Sequence, residues 1–203
     1  MDAIKHLKDR TRTERIVDLI NEAGMLRRTP RTGYQFLGSG SENVAEHSFR
    51  TSVIGYVLAR LADADPARVT FLCLFHDLHE ARTADFNYVN HLYNTTRARA
   101  ALEDATEGSG LEEDILSFWD ELKGGETKEA LLARDADQLD LIFNLKEELD
   151  KGNKFAEKWL ESALRRLKSP QAKELAETVM HTEHMLWWYG GPDASWWENR
   201  RGE

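Results

Sequence analysis

The residues most able to do chemistry are histidines and carboxylates placed on inward helix faces. Asn43 followed three residues later by Glu46 opens a helix with asparagine in the cap position. In that register Val44, His47, Thr51, Ile54, Leu58 and Leu61 share one face, so His47 is expected to point at the core. A second helix, opened by Asp65-Pro66, carries Val69, Leu72, Cys73 and His76 along its apolar stripe. Asp77 follows directly, and Glu80 lies one turn beyond His76. A carboxylate buried without a partner costs several kcal/mol. A His-Asp pair closing an apolar run therefore calls for a partner, and a divalent cation suits both side chains. The run Arg134-Asp135-Ala136-Asp137-Gln138-Leu139-Asp140 adds three aspartates inside a helix opened near Thr127. Register leaves the choice among the three open. Ala130 and Ala133 beside Asp137 give that position room for an ion.

The elements that must position these groups are helices. Apolar residues recur at helical spacing over about 43–62, 66–82, 127–150, 153–168 and 170–189, with shorter segments about 96–107 and 110–122. A further stripe, Ile16, Val17, Leu19, Ile20 and Ala23, ends near Gly24. No stretch alternates as a strand would. The expectation is an all-α, single-domain bundle over 1–203, with a motif-bearing core of about 20–150 and the helices of 153–189 packed on it. Two stretches, 25–40 and 83–95, read as long loops of the kind that often carry function. Lys5, Lys8, Arg10, Arg12 and Arg15 read as a solvated helix face.

With 203 residues and 41% hydrophobic content, the chain suits one domain with a real core. Its net charge of −9 disfavours a nucleic-acid partner. No apolar run approaches the roughly 20 residues that cross a bilayer, and the charged start argues against a secretory signal, so the expected location is cytoplasmic. The single cysteine, Cys73, excludes an internal disulfide and reads as a small core residue. His181 and His184 lack the spacing of a zinc-protease pair. Trp187, Trp188, Trp196 and Trp197 read as packing over the core, or alternatively as a subunit contact.

His47, then His76-Asp77, then Asp137 resembles the ligand pattern of the HD-domain metal-dependent phosphohydrolases. The segments Leu26–Tyr34, Glu42–Arg50 and His76–Arg82 are similar, in that order, to the subgroup that includes bacterial 5′-deoxynucleotidases. The resemblance implies an HD-type helical fold and selects Asp137 as the fourth ligand. It also implies Glu80 and Asp85 as catalytic carboxylates, Arg31 as a phosphate contact, and a homodimer. Tyr34 stands where such relatives often carry tryptophan, and Ala84 where glycine is usual.

Two imidazoles and two carboxylates suit one divalent transition metal, with Mn, Fe, Co, Ni and Zn all compatible. Only His79 and His91 lie between the His-Asp pair and Asp137, too few for a two-metal centre. The expected activity is release of phosphate from (deoxy)nucleoside 5′-monophosphates. The alternatives are hydrolysis of a tri- or cyclic phosphate, or a non-catalytic module that binds metal and nucleotide.

Overall fold

A computed structural model describes residues 9–189. The chain opens with α1 (Arg12–Ala23), a 3-10 turn (Gly24–Arg28) and the short α2 (Tyr34–Leu37), followed by α3 (Val44–Ala62), α4 (Pro66–Phe75), α5 (Glu80–Thr83) and α6 (Tyr88–Tyr93). It continues with α7 (Ala98–Thr106), α8 (Glu112–Gly124), α9 (Lys128–Asp150), α10 (Phe155–Leu164), α11 (Pro170–Met180) and α12 (Leu186–Tyr189). Among the described residues there is no strand, only an isolated antiparallel bridge between Pro30 and Asn43.

Local sequence starts these helices. Thr11 with Glu14 and Asn43 with Glu46 form reciprocal capping boxes, which satisfy backbone donors at the first turns of α1 and α3. Asp65-Pro66 and Ser169-Pro170 cap α4 and α11, and Thr127 caps α9. The long α9 lies centrally and packs against α3, α4, α8, α10 and α11. Leu58, Leu72, Leu132, Leu139, Ile142 and Leu160 fill the space between them. α3 and α4 meet closely at Gly55, where a Cβ would come within 2.6 Å of Cys73 Sγ, so any larger residue forces the pair apart. A smaller cluster, including Leu19, Leu26, Val44, Leu78 and Leu102, ties α1, α7 and α8 to the start of α3.

The structure departs from the sequence reading at several places. The helix expected over 66–82 stops at Phe75, because the His76 Nδ1–H donates to Cys73 O at 2.6 Å and takes a carbonyl that a continuing helix needs. Residues 76–79 turn instead, before α5 begins. The stretch 83–95 holds α6, capped by the Asn87 side chain, and 25–40 holds the 3-10 turn and α2. The C-terminal helices are shorter than expected, at Phe155–Leu164, Pro170–Met180 and Leu186–Tyr189. Leu61 faces outward at 59% exposure. Arg15 is buried rather than solvated, its guanidinium donating to the carbonyls of Asp104, Ala105 and Glu107 at the C-terminal end of α7. Lys5, Lys8, Trp196 and Trp197 lie outside the described residues.

Candidate metal centre

His47 sits in the first turns of α3 and is fully buried. Its Nδ1 faces Asp140 Oδ2 at 2.6 Å, and its Nε2 lies 3.1 Å from His76 Nε2. The nearest partner of each Nδ1 only accepts, a carboxylate at 2.6 Å for His47 and the Cys73 carbonyl at 2.6 Å for His76, with the Thr51 hydroxyl farther from His47 at 3.4 Å. In their neutral forms both rings therefore carry the proton on Nδ1 and aim Nε2 lone pairs at one another. That arrangement repels unless something positive sits between them.

Two carboxylates complete the cluster. Asp77 Oδ2 is 2.9 Å from His76 Nε2 and 3.6 Å from His47 Nε2, and Asp137 Oδ1 is 3.2 Å from His47 Nε2. Ligand atoms bound at about 2.1 Å to a common centre stand roughly 3.0–3.4 Å apart, so the spacing suits one metal ion. His47, His76 and Asp137, from α3, the turn after α4, and α9, present ligand atoms within 4.8 Å of one another, and Asp77 adjoins them on the side of the two imidazoles.

The electrostatics agree with the geometry. Burial and the nearby Arg31 charge push the His47 pKa down, but hydrogen bonds to Asp137 and Asp140 outweigh them and lift it to about 10. Burial raises Asp77, yet the His76, His47 and Arg31 charges hold it below the usual carboxylate range. Asp137 is held at about 2 against its own burial, chiefly by the hydrogen bond from His47. These donors favour positive charge in their midst.

Beside the cluster, burial together with the charges of Asp77 and Asp85 pushes Glu80 up to about 9. Its Oε2 is buried without a hydrogen-bond partner. Arg31 Nη1 stands 3.6 Å from Asp77 and 3.4 Å from Asp85, and its Nε is 3.8 Å from Glu42. Asp85 is tied down by Thr32, whose backbone N–H and hydroxyl donate to Oδ2 at 2.6 and 3.0 Å. Ala84, just before it, adopts φ +62° and ψ 162°, a conformation that favours glycine. Arg31, Asp77, Glu80, Asp85 and Asp137 all line one cavity of about 270 Å³. Tyr34, Phe86, Tyr88 and Trp159 add aromatic wall to it, and Asn87, Gln138 and Asn144 add amides. A second cavity of about 170 Å³, lined by Lys123 and Arg134, reaches His76, Asp77 and Asp137 as well.

The sequence reading missed the layer behind the ligands. Asp140 is fully buried and accepts from His47 and, at 2.5 Å, from Arg50 Nε. Arg50 also reaches Glu42, which accepts two hydrogen bonds from Asn144 Nδ2 at 3.0 Å. A histidine held by a carboxylate keeps its tautomer and ring orientation, so Asp140 supports His47 without itself joining the donor set. Its signal was present as a third aspartate in an apolar helix, with nothing to say what it faced. Asp135, the remaining one, accepts from the Lys168 and Ser169 backbone N–H groups at the start of α11. Burial pushes the Cys73 thiol up, away from the reactive thiolate form, as a core cysteine should be. His184 pairs with Asp150, a residue outside this cluster. Trp187 is 86% exposed and does not pack over the core.

Comparison with known proteins points the same way. Residues 23–180 match the family described as HD domain. The 5′-deoxynucleotidase HDDC2 of Xenopus laevis is 24% identical over 172 residues, covering 81% of this chain and 85% of that protein. Its Mus musculus counterpart is 26% identical over 137 residues, covering 64% and 68%. Among solved structures, a conserved hypothetical protein from Pyrococcus furiosus superposes with a TM-score of 0.71 at 27% identity, covering 82% of this chain and 99% of that one. A protein described as a predicted metal-dependent phosphohydrolase from Magnetospirillum magnetotacticum shares the fold, with a TM-score of 0.66 at 20% identity over 85% and 95%.

Proposed function

The chain belongs to the HD-domain family, and from that premise we propose that it is a metal-dependent phosphohydrolase releasing phosphate from (deoxy)nucleoside 5′-monophosphates. The observation that carries this reading is the pair of imidazole Nε2 atoms facing each other at 3.1 Å beside Asp77 and Asp137, two carboxylates that line a cavity together with an arginine and a buried glutamate. His47, His76, Asp77 and Asp137 would hold one divalent transition metal, for which Mn, Fe, Co, Ni and Zn are all suitable. When bound, the cation supplies Lewis acidity to a phosphoryl oxygen and to a water beside it, and its charge draws Glu80 back toward the carboxylate form.

The remaining steps belong to the protein's own side chains. Arg31, fixed between Asp77 and Asp85, offers its guanidinium to the phosphate. Water adds to phosphorus as the ester P–O bond breaks. Glu80, whose Oε2 has no protein partner, takes the proton from that water. The leaving oxygen gains the proton that Glu80 took, and Asp85 either relays that proton to it or binds the sugar that carries it. The aromatic and amide wall of the cavity suits a nucleobase, which stacks on rings and hydrogen-bonds to amides. The named activity of the HDDC2 relatives supports the same substrate class. The reading also includes a homodimer working in the cytoplasm. No described helix is long and apolar enough to cross a membrane.

The test is phosphate release from a panel of nucleoside mono-, tri- and cyclic phosphates, each with the five metals in turn. His76→Ala and Asp77→Ala run beside the wild type. Monophosphates should turn over and both variants should be inactive. Equal release by the variants, or turnover of triphosphates alone, would overturn the reading.

A further inference from the structure

A third cavity, of about 410 Å³, shares Tyr88, Leu141 and Trp159 with the one that Arg31 and Glu80 line. Phe36 of α2 and Tyr88 and Val89 of α6 give it apolar surface, and all three are exposed, at 51%, 59% and 45%. Large apolar side chains left to water around a hollow mark a binding surface. The helix α10 adds Lys158 and the Ser162 hydroxyl one turn apart, and Arg166 follows just past its end. Arg166 clasps Tyr88: its guanidinium carbon lies 5.1 Å from the ring centre, and Nη1 donates to the Tyr88 hydroxyl and, at 3.4 Å, to Gln138 Oε1. One of the rings common to both cavities is thereby fixed in place.

The charge here runs against that of the chain. Between residues 154 and 168, Lys154, Lys158, Arg165, Arg166 and Lys168 stand against Glu157 and Glu161, in a protein whose net charge is −9. Among the described residues Lys158 and Arg166 have no acidic partner, whereas Arg10, Arg31, Arg50, Arg68, Arg82 and Arg99 each have one. A mononucleotide with its phosphate at Arg31 has no second charge to give them. We propose that this cavity is a subsite for a second nucleoside, joined through a phosphodiester to the first, so that the substrate class includes 5′-phosphorylated dinucleotides. The inference rests on the nucleotidase reading and extends it. The terminal phosphate meets Arg31, and the first base lies against the wall that includes Tyr34 and Phe86. The bridging phosphate meets Lys158 and Ser162 beside Arg166, and the second base stacks on the exposed rings of Phe36 and Tyr88. Water still adds to the terminal phosphorus, the ester bond to the 5′ oxygen breaks, and that oxygen gains the proton, which leaves the internal diester intact. The second nucleoside touches nothing at the reacting phosphorus, so its binding lowers KM and leaves kcat alone. Longer strands gain nothing more, because the rest of the chain is net acidic.

The experiment compares initial rates on thymidine 5′-monophosphate, thymidine 3′,5′-bisphosphate, and the 5′-phosphorylated thymidine dinucleotide and tetranucleotide. The full chain is used as wild type, Phe36→Ala and Lys158→Glu; both residues are exposed, and thermal melting checks that the variants are folded. The dinucleotide KM should lie on the order of tenfold below that of the monophosphate, the worth of one stacked base, with no further fall for the tetranucleotide. Lys158→Glu should raise KM for the bisphosphate and the dinucleotide but not for the monophosphate. Phe36→Ala should raise it for the dinucleotide and not for the bisphosphate, which has no second base. Values of kcat should stay the same throughout. Equal KM for mono- and dinucleotide overturns the inference, and if the monophosphate is still hydrolysed the nucleotidase reading survives it. A rise on all substrates alike in Lys158→Glu, or a steady gain from dinucleotide to tetranucleotide, overturns it too. Calorimetry on metal-free protein separates the opposite failure. No phosphate release from any nucleotide, with the dinucleotide still bound more tightly than the monophosphate and less so in Lys158→Glu, supports the subsite and removes the hydrolase.

Discussion

Replacing Asp140 with asparagine keeps the shape of a fully buried side chain and removes its charge. The carboxylate accepts from His47 Nδ1 at 2.6 Å and from Arg50 Nε at 2.5 Å. That first contact keeps the ring proton on Nδ1 and leaves Nε2 a lone pair for the metal. An amide can present its NH₂ to Nδ1 instead, and the proton then moves to Nε2, where a ligand cannot carry one. Loss of an outer partner of this kind lowers metal affinity by about 10- to 100-fold. At roughly 1.4 kcal/mol per decade this is about 1.4–2.8 kcal/mol of binding free energy. Arg50 contributes less, because its side chain is 35% exposed and its loss leaves the Asp140 carboxylate in place. Arg50→Ala should therefore cost under about tenfold, less than the outer-partner range. The assay is competition with a chromophoric chelator for Co²⁺ or Zn²⁺, with thermal melting to show that each variant is folded. Wild-type affinity in Asp140→Asn would refute the argument that this contact sets the His47 tautomer.

Three further outcomes are expected. Glu80→Gln should bind metal like the wild type and lose about 10²–10⁴-fold in turnover, the usual worth of a positioned base; full activity in stopped phosphate-release assays would remove Glu80 from the reaction. In metal-free protein the His47 pKa is raised from about 6.5 to about 10, so its contribution to stability is complete below pH 6.5 and is lost as pH rises toward 10. Metal competes for that proton, so affinity should rise up to about tenfold per pH unit in this window with one proton released per ion, read by calorimetry in buffers of different ionisation heat; affinity that is flat from pH 7 to 9 would contradict it. Ala84→Gly should stabilise the fold by about 1 kcal/mol, because relief of a backbone strain of roughly 1–3 kcal/mol outweighs the added freedom of the unfolded chain. A lower urea midpoint for that variant would show that Ala84 is not strained.

Much of the site could be read from the residues because the determinants were local. The Asn43–Glu46 box fixes the start of α3, and with it the direction of His47. The apolar stripe of α4 likewise turns His76 inward. The three aspartates of α9 were a harder case, since each has apolar neighbours on its own helix. What separates them lies across space: Asp135 meets the start of α11, Asp140 meets His47 Nδ1, and Asp137 meets His47 Nε2. Helix periodicity carries no record of those partners. The break after Phe75 was hidden for a similar reason, because it depends on a histidine side chain competing with the backbone for the Cys73 carbonyl. Arg15 looked solvated because basic residues usually are. Its burial depends on three carbonyls contributed some 90 residues later.

The loop that carries Arg31 is fastened at its base. Arg31 N–H donates to Glu42 O at 2.9 Å, and Val44 N–H donates to Thr29 O at 2.9 Å, so Arg31 and the start of the helix that carries His47 share one rigid base. The ten residues between Arg31 and Glu42 hang from it as a closed loop, and they include Tyr34 and Leu37 of the pocket wall. Lengthening such a loop costs little once its ends are tied. The shape of that pocket wall can therefore be rewritten within this segment, while the placement of Arg31 relative to His47 stays as it is.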